Sequence, residues 1–189
     1  MKPLPIVAAL TLALATTAAL ADRDGDKIRA RLTGYEEVPS VSTTGKGEFE
    51  AKISRDEGLI EYELSYSGLQ GTVQQSHIHF AQRAVNGSIV VWLCQTATTP
   101  APAAVAGLTP FCPQSGTVTG QITAANVIAA TTTSQMITAG ELAEVIAAIR
   151  AGRAYANVHT TPLNPGGEIR GQLGDRGRGH GHDDDHGHH

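Results

Sequence analysis

The fold is decided by the stretch Glu48-Phe49-Glu50-Ala51-Lys52-Ile53, its continuation Ser54-Arg55-Asp56-Glu57-Gly58-Leu59, and the run Ile60-Glu61-Tyr62-Glu63-Leu64-Ser65-Tyr66. Phe49, Ala51 and Ile53 alternate with Glu48, Glu50 and Lys52; Ile60, Tyr62, Leu64 and Tyr66 alternate with Glu61, Glu63 and Ser65. Successive side chains of a strand point to opposite faces, so a period of two with charge on one side means a strand with one wet face. Asp56-Glu57-Gly58 between the runs carries hairpin-turn chemistry.

The same pattern extends outward. Ile28, Ala30 and Leu32 alternate with Arg29, Arg31 and Thr33, and further strands are expected at 73–80, 88–94, 116–122, 154–160 and 167–173. Short strands separated by Gly-rich turns indicate a sandwich or barrel. The expectation is a mostly-β, antiparallel sandwich or barrel of about eight strands with one covering α-helix. That helix is signalled by Thr138-x-x-Glu141, a capping box, then by Leu142, Val145, Ile146 and Ile149 on one stripe and by Gly152 as its stop. Residues 123–128 read as a further short helical turn.

The two ends of the 189-residue chain differ from its middle. Residues 1–21 read as a signal peptide: Lys2, an apolar run from Ile6 to Leu20, and the cleavage pattern Ala19-Leu20-Ala21 before Asp22-Arg23-Asp24. The run is short for a bilayer span. Three parts follow: a leader at 1–21, a β domain at 22–173 and a tail at 174–189. The tail has no apolar residue, so it should be disordered. Export places the protein in the periplasm or outside the cell, with no membrane association after leader removal.

Composition removes some function classes. Losing Lys2 with the leader would leave 13 basic against 18 acidic side chains. That surface lacks the basic stripe nucleic acid demands, and aromatics, at 4%, are too sparse for base stacking. No G-x-S-x-G elbow or H-E-x-x-H helix occurs, and Ser76 and His77 face opposite ways on a strand, so a non-catalytic protein is expected. Glu36-Glu37 reads as a solvated turn. Cys94 and Cys112, an even pair in an exported chain, read as one disulfide closing about 18 residues, worth about 3 kcal/mol. The alternative, a metal-ligating or reactive thiol, lacks a Cys-x-x-Cys. The residues between them, Thr96 to Pro110, are rich in Ala, Pro and Thr and are expected to be irregular.

Two blocks carry a resemblance. Ser76-His77-Ile78-His79-Phe80 with Asn86-Gly87-Ser88-Ile89-Val90-Val91, and Tyr155-Ala156-Asn157-Val158-His159-Thr160 with Asn164-Pro165-Gly166-Gly167-Glu168-Ile169-Arg170-Gly171-Gln172-Leu173, closely resemble the signature of the CHRD (chordin-type) domain. Leu32-Thr33-Gly34-Tyr35-Glu36-Glu37-Val38-Pro39 and Tyr66-Ser67-Gly68-Leu69 also fit. The resemblance covers residues 28–173, and the insert with Cys94 and Cys112 resembles the bacterial secreted branch. It implies an extracellular, immunoglobulin-like or barrel-like β fold whose biochemical role is poorly defined.

The eight histidines fall into two groups. His77 and His79 are two apart on one strand, roughly 7 Å from each other on one face, with Ile78 and Phe80 on the core side. On the later strand Ala156 and Val158 take the core, so Tyr155, Asn157 and His159 face away, as do Glu168, Arg170 and Gln172 beyond. All three histidines are therefore expected on the outer, wet face of the sheet. If the two strands are neighbours, three imidazoles meet there, with Glu168 as a supporting partner, and neutral imidazoles suit Cu or Zn. The competing reading makes His77 and His79 hydrogen-bonding residues that hold the loop before Asn86-Gly87. His180, His182, His186, His188 and His189, with Asp183-Asp184-Asp185, make a flexible chelator in the tail. The expected function is divalent transition-metal binding (Cu or Zn) through both groups. The alternative is an extracellular or envelope protein-interaction module without a physiological metal. A copper redox enzyme would need an open coordination position, for which the sequence offers no sign.

Overall fold

The computed structural model describes residues 27–174. The expected leader and the tail histidines lie outside the described residues. The chain forms one eight-stranded antiparallel sheet: β1 (Lys27–Thr33), β2 (Lys46–Ile53), β3 (Ile60–Ser67), β4 (Thr72–Phe80), β5 (Ser88–Cys94), β6 (Gly116–Ile122), β7 (Ala154–Thr161) and β8 (Ile169–Leu173), in the order β5-β4-β7-β8-β1-β2-β3-β6. The sheet curls into a nearly closed barrel, in agreement with the expected class. All eight expected strands are present, each shifted by no more than two residues at either end.

The hairpin that opened the reading forms as its sequence dictates. β2 and β3 pair from Lys46↔Ser67 to Ile53↔Ile60, so Phe49 faces Leu64 and Ala51 faces Tyr62. At the turn, Asp56 Oδ1 accepts from Ser54 Oγ (2.6 Å) and from the Gly58 N–H (3.3 Å). The inward residues of β1, β2 and β3 join those of β4, β5, β7 and β8 in one core.

Two devices tie the two ends of the sheet together. Cys94, closing β5, is bonded to Cys112, just ahead of β6, with Cα atoms 5.1 Å apart. Tyr62 Oη on β3 donates to the Leu93 carbonyl of β5 at 2.6 Å. The outer edge of β5 is not bare: the Ile128 N–H donates to the Val90 carbonyl, and Val91 pairs with Val127. Covering an edge this way removes a template for intermolecular pairing.

Two helices accompany the sheet. The loop between the cysteines, expected to be irregular, contains α1 (Ala103–Ala106) behind Pro102. Gln95 organises that loop: its Nε2 donates to the Ala106 and Thr109 carbonyls, and its Oε1 accepts from the Ala101 N–H. The second helix, α2 (Leu142–Arg150), buries Leu142, Val145, Ile146 and Ile149 in the core, as its stripe predicts. Its start is half of the expected box: Glu141 Oε2 accepts from the Thr138 N–H at 2.6 Å, and Glu141 itself is the N-cap. Its end is a Schellman turn, with the Gly152 N–H on Ile149 O and the Arg153 N–H on Ala148 O; φ of +65° there suits glycine. The turn at 123–128 is a 3-10 helix, Ala124–Asn126, capped reciprocally by Thr123 and Asn126.

Candidate metal centre

β4 and β7 are neighbours, paired His77↔Asn157 and His79↔Tyr155. The parity argument therefore holds for direction: His77, His79 and His159 lie across their strands from Ile78, Ala156 and Val158, which are core residues. It fails for exposure. The three histidines are expected on a wet outer face, but His77 is fully buried and His79 and His159 are each 7% exposed. β7 is buried on both faces through Thr160.

The physical reason is a roof of loops over the outer face of β4, β7 and β8, held by polar side chains of those strands. Arg170 donates from Nη2 to the Val85 carbonyl (2.8 Å) and from Nη1 to Asn86 Oδ1 (3.2 Å). Gln172 Nε2 donates to the Ala81 carbonyl, and Asn86 Nδ2 to the Val38 carbonyl. Arg83 pairs with Glu36. Glu168 accepts from Thr43 Oγ1, Thr160 Oγ1 and the Gln70 and Gly71 N–H groups. Burial would raise the Glu168 carboxyl, but these hydrogen bonds outweigh it and its pKa is lowered. Glu168 is thus a loop anchor. None of its hydrogen bonds goes to an imidazole, which corrects its expected role as a partner of the cluster.

One ring nitrogen from each of His77, His79 and His159 lies within 4.8 Å of the others. His77 Nδ1 is 3.2 Å from His159 Nε2. Two ligands about 2.05 Å from a tetrahedral Zn²⁺ stand about 3.3 Å apart, so this pair already has ligand spacing, and the third imidazole needs a shift of roughly 1.5 Å. The geometry thus satisfies the condition that the three rings be close enough to share an ion.

The tautomers follow from the partners. A carbonyl only accepts, so His79 donates its Nδ1–H to Gly87 O (2.9 Å) and His159 its Nδ1–H to Pro165 O (2.9 Å). Both Nε2 atoms then carry lone pairs. Anchoring the far nitrogen on a backbone carbonyl is the arrangement that orients ligating histidines. The Gly87 bond is also the loop-holding contact that the competing reading foresaw. In this arrangement His77 Nδ1–H donates to His159 Nε2, which leaves His77 Nε2 and His79 Nε2 buried without a hydrogen-bond partner; ligation through Nδ1 requires the other tautomer, with the His77 proton on Nε2. An unpaired buried lone pair is costly, and a cation would satisfy it.

Electrostatics agree. Burial holds His77 well below the ordinary imidazole range, helped by the adjacent His159 and His79. Burial pushes His79 down to about 4, against the opposing Gly87 bond, and lowers His159. All three are neutral near pH 7, the form that ligates metal.

Aromatic rings wall the cluster. Trp92 meets His77 edge-on at 4.3 Å between ring centroids, and Tyr155 stacks on His79 at 4.6 Å with 3° between planes. The Arg170 guanidinium lies 3.3 Å over the other side of Tyr155. Behind it Glu37 is 5% exposed, in contrast to the expected solvated turn at Glu36-Glu37, and its Oε1 has no hydrogen-bond partner. Burial, only partly offset by Arg170, raises Glu37 to about 7. Asn157 sits amid the histidines, with Oδ1 3.1 Å from His159 Nε2. Trp92 carries no sequence signal for the site, Glu37 is expected in a solvated turn, and parity puts Asn157 and Arg170 on the outward face without giving them a role. His180, His182, His186, His188 and His189 fall outside the described residues.

A family model described as CHRD domain matches residues 28–173. No curated protein and no solved structure matches the chain.

Proposed function

The chain belongs to the CHRD domain family, and on that premise we propose that it is an exported, non-catalytic protein that binds a divalent transition metal, copper or zinc, through His77, His79 and His159. The observation that carries this is the convergence of three buried, neutral imidazoles with ring nitrogens within 4.8 Å, two of whose Nε2 atoms lack partners. Imidazole nitrogens suit Cu and Zn, and burial excludes competing water. Export is supported by the Cys94–Cys112 disulfide, which persists in oxidising compartments. Among the described residues no helix is long and apolar enough to cross a membrane. The five tail histidines would act as a second, weaker chelating segment that raises the local metal concentration.

The test uses Trp92, the chain's only tryptophan. Its ring abuts His77, so Cu²⁺ bound at the cluster should quench its fluorescence with one-to-one stoichiometry, and His79→Ala should abolish that quench. Calorimetry with Zn²⁺ on the chain cut after Leu173 should give the same stoichiometry. Quenching that survives His79→Ala, or none in the parent protein, would refute the cluster as the site.

Family membership also suggests a protein-interaction module. The exposed Tyr35 (77%) and Leu163 (61%) lie in two of the roof loops and would suit such a contact.

A further inference from the structure

Three imidazoles leave a tetrahedral ion one ligand short. The atom that best fits the gap belongs to a residue type usually overlooked in metal sites. Asn157 is 1% exposed, on β7 two residues before His159 and directly across from His77. Its Oδ1 stands 3.1 Å from His159 Nε2.

That contact has an unusual character. His159 commits its one proton to Pro165 O from Nδ1, so its Nε2 is an acceptor. An amide oxygen is also an acceptor. The two acceptors cannot hydrogen-bond to each other; His77 Nδ1–H engages only the His159 lone pair, whereas a cation against both would serve both at once. Their 3.1 Å spacing is close to the roughly 3.3 Å expected between neighbouring ligands on a tetrahedral ion. The other end of the amide lies toward Glu37. Gly167, at φ +126°, leaves a gap that a Cβ would fill, and around that gap lie Asn157 Nδ2 and the unpartnered Oε1 of Glu37. Asn157 Nδ2 thus lies on the Glu37 side of the amide, with no hydrogen bond to that oxygen.

We propose that Asn157 Oδ1 is the fourth ligand, completing an N3O donor set with His77, His79 and His159. This rests on the reading of the three histidines as a metal site. An amide oxygen is a hard donor, so the set favours Zn²⁺ and Cu²⁺ over the softer Cu⁺. Were the amide reversed, Nδ2 would instead donate to His159 Nε2 and take no part in coordination.

The two arrangements respond oppositely to substitution. The background is the full chain with His180→Ser, His182→Ser, His186→Ser, His188→Ser and His189→Ser, so that only the barrel site is read. Asn157→Leu should weaken Zn²⁺ binding at least tenfold and alter the visible absorption bands of the Co²⁺-substituted protein. Asn157→Asp keeps an oxygen donor and should bind Zn²⁺ at least as tightly as the parent. A weaker-binding Asp variant would overturn the proposal, because it is the outcome expected if the amide N–H is what matters. Leu binding within threefold of the parent, with unchanged Co²⁺ bands, would overturn it too, while loss of binding in His79→Ala would leave the histidine site standing. Should Asn157→Leu not fold, the parent protein still decides: Zn²⁺ should shift the Asn157 side-chain amide and carbonyl resonances, and unmoved resonances would overturn the proposal. A parent that binds no Zn²⁺ removes the histidine site and this ligand together.

Discussion

Glu37→Gln should stabilise the protein in mild alkali and do nothing to it in acid. Glu37 is buried beside Arg170, with one oxygen unpaired, and its pKa rises from 4.5 to about 7. The folded chain therefore holds a proton that the unfolded chain releases between pH 4.5 and 7. Across that window stability falls as pH rises, because the folded state binds more protons. At about 1.4 kcal/mol per pKa unit, the loss above pH 7 approaches roughly 3 kcal/mol. Glutamine mimics the protonated carboxyl in size and has no charge to bury. The assay is urea unfolding of parent and variant from pH 4 to pH 8, read as the difference between them. The subtraction matters because His79, lowered to about 4, gives the opposite slope in both proteins between pH 4 and 6.5. The difference should be near zero at pH 4 and grow to about 3 kcal/mol in favour of Gln by pH 8. A difference that stays flat, or favours Glu at pH 8, refutes the reasoning that Glu37 is buried at a cost.

Other outcomes follow from the same geometry. Replacing both Cys94 and Cys112 by Ala reopens an 18-residue separation and should cost about 3 kcal/mol in chemical denaturation, without changing metal stoichiometry. Gly167→Ala combines a φ of +126° with a Cβ driven against Glu37 and Asn157. It should cost about 2 kcal/mol or more by thermal unfolding and weaken Zn²⁺ binding in calorimetry. Removing residues 174–189 should lower total Ni²⁺, Cu²⁺ and Zn²⁺ stoichiometry while leaving the one ion that quenches Trp92.

The strands were legible because their signal is local. Charges at Glu48, Glu50, Glu61 and Glu63 against Phe49, Ala51, Tyr62 and Leu64 fix both period and face. The same arithmetic put His77, His79, Asn157 and His159 on one side of β4 and β7. It was blind to what covers that side. The cover comes from residues 34–45, 81–87 and 161–168, whose backbones have no period and whose anchors, Arg170, Glu168 and Gln172, are charged or polar residues that would ordinarily be assigned to solvent. Each bonds a partner distant in sequence, so burial of Glu37 or Arg170 leaves no local mark. The helix Ala103–Ala106 was missed for a related reason: four residues are too few to show a stripe, and Gln95, some ten residues away, holds the loop around it.

The central claim is that the buried histidine cluster holds a metal ion. Its most direct test is elemental analysis of protein expressed with residues 1–21 in place and purified without chelator, comparing the five-serine tail variant with the same chain carrying His77→Ala, His79→Ala and His159→Ala. The account predicts about one copper or zinc per chain in the first and none in the second. A folded first protein that carries no metal, or a second that carries as much, would contradict it.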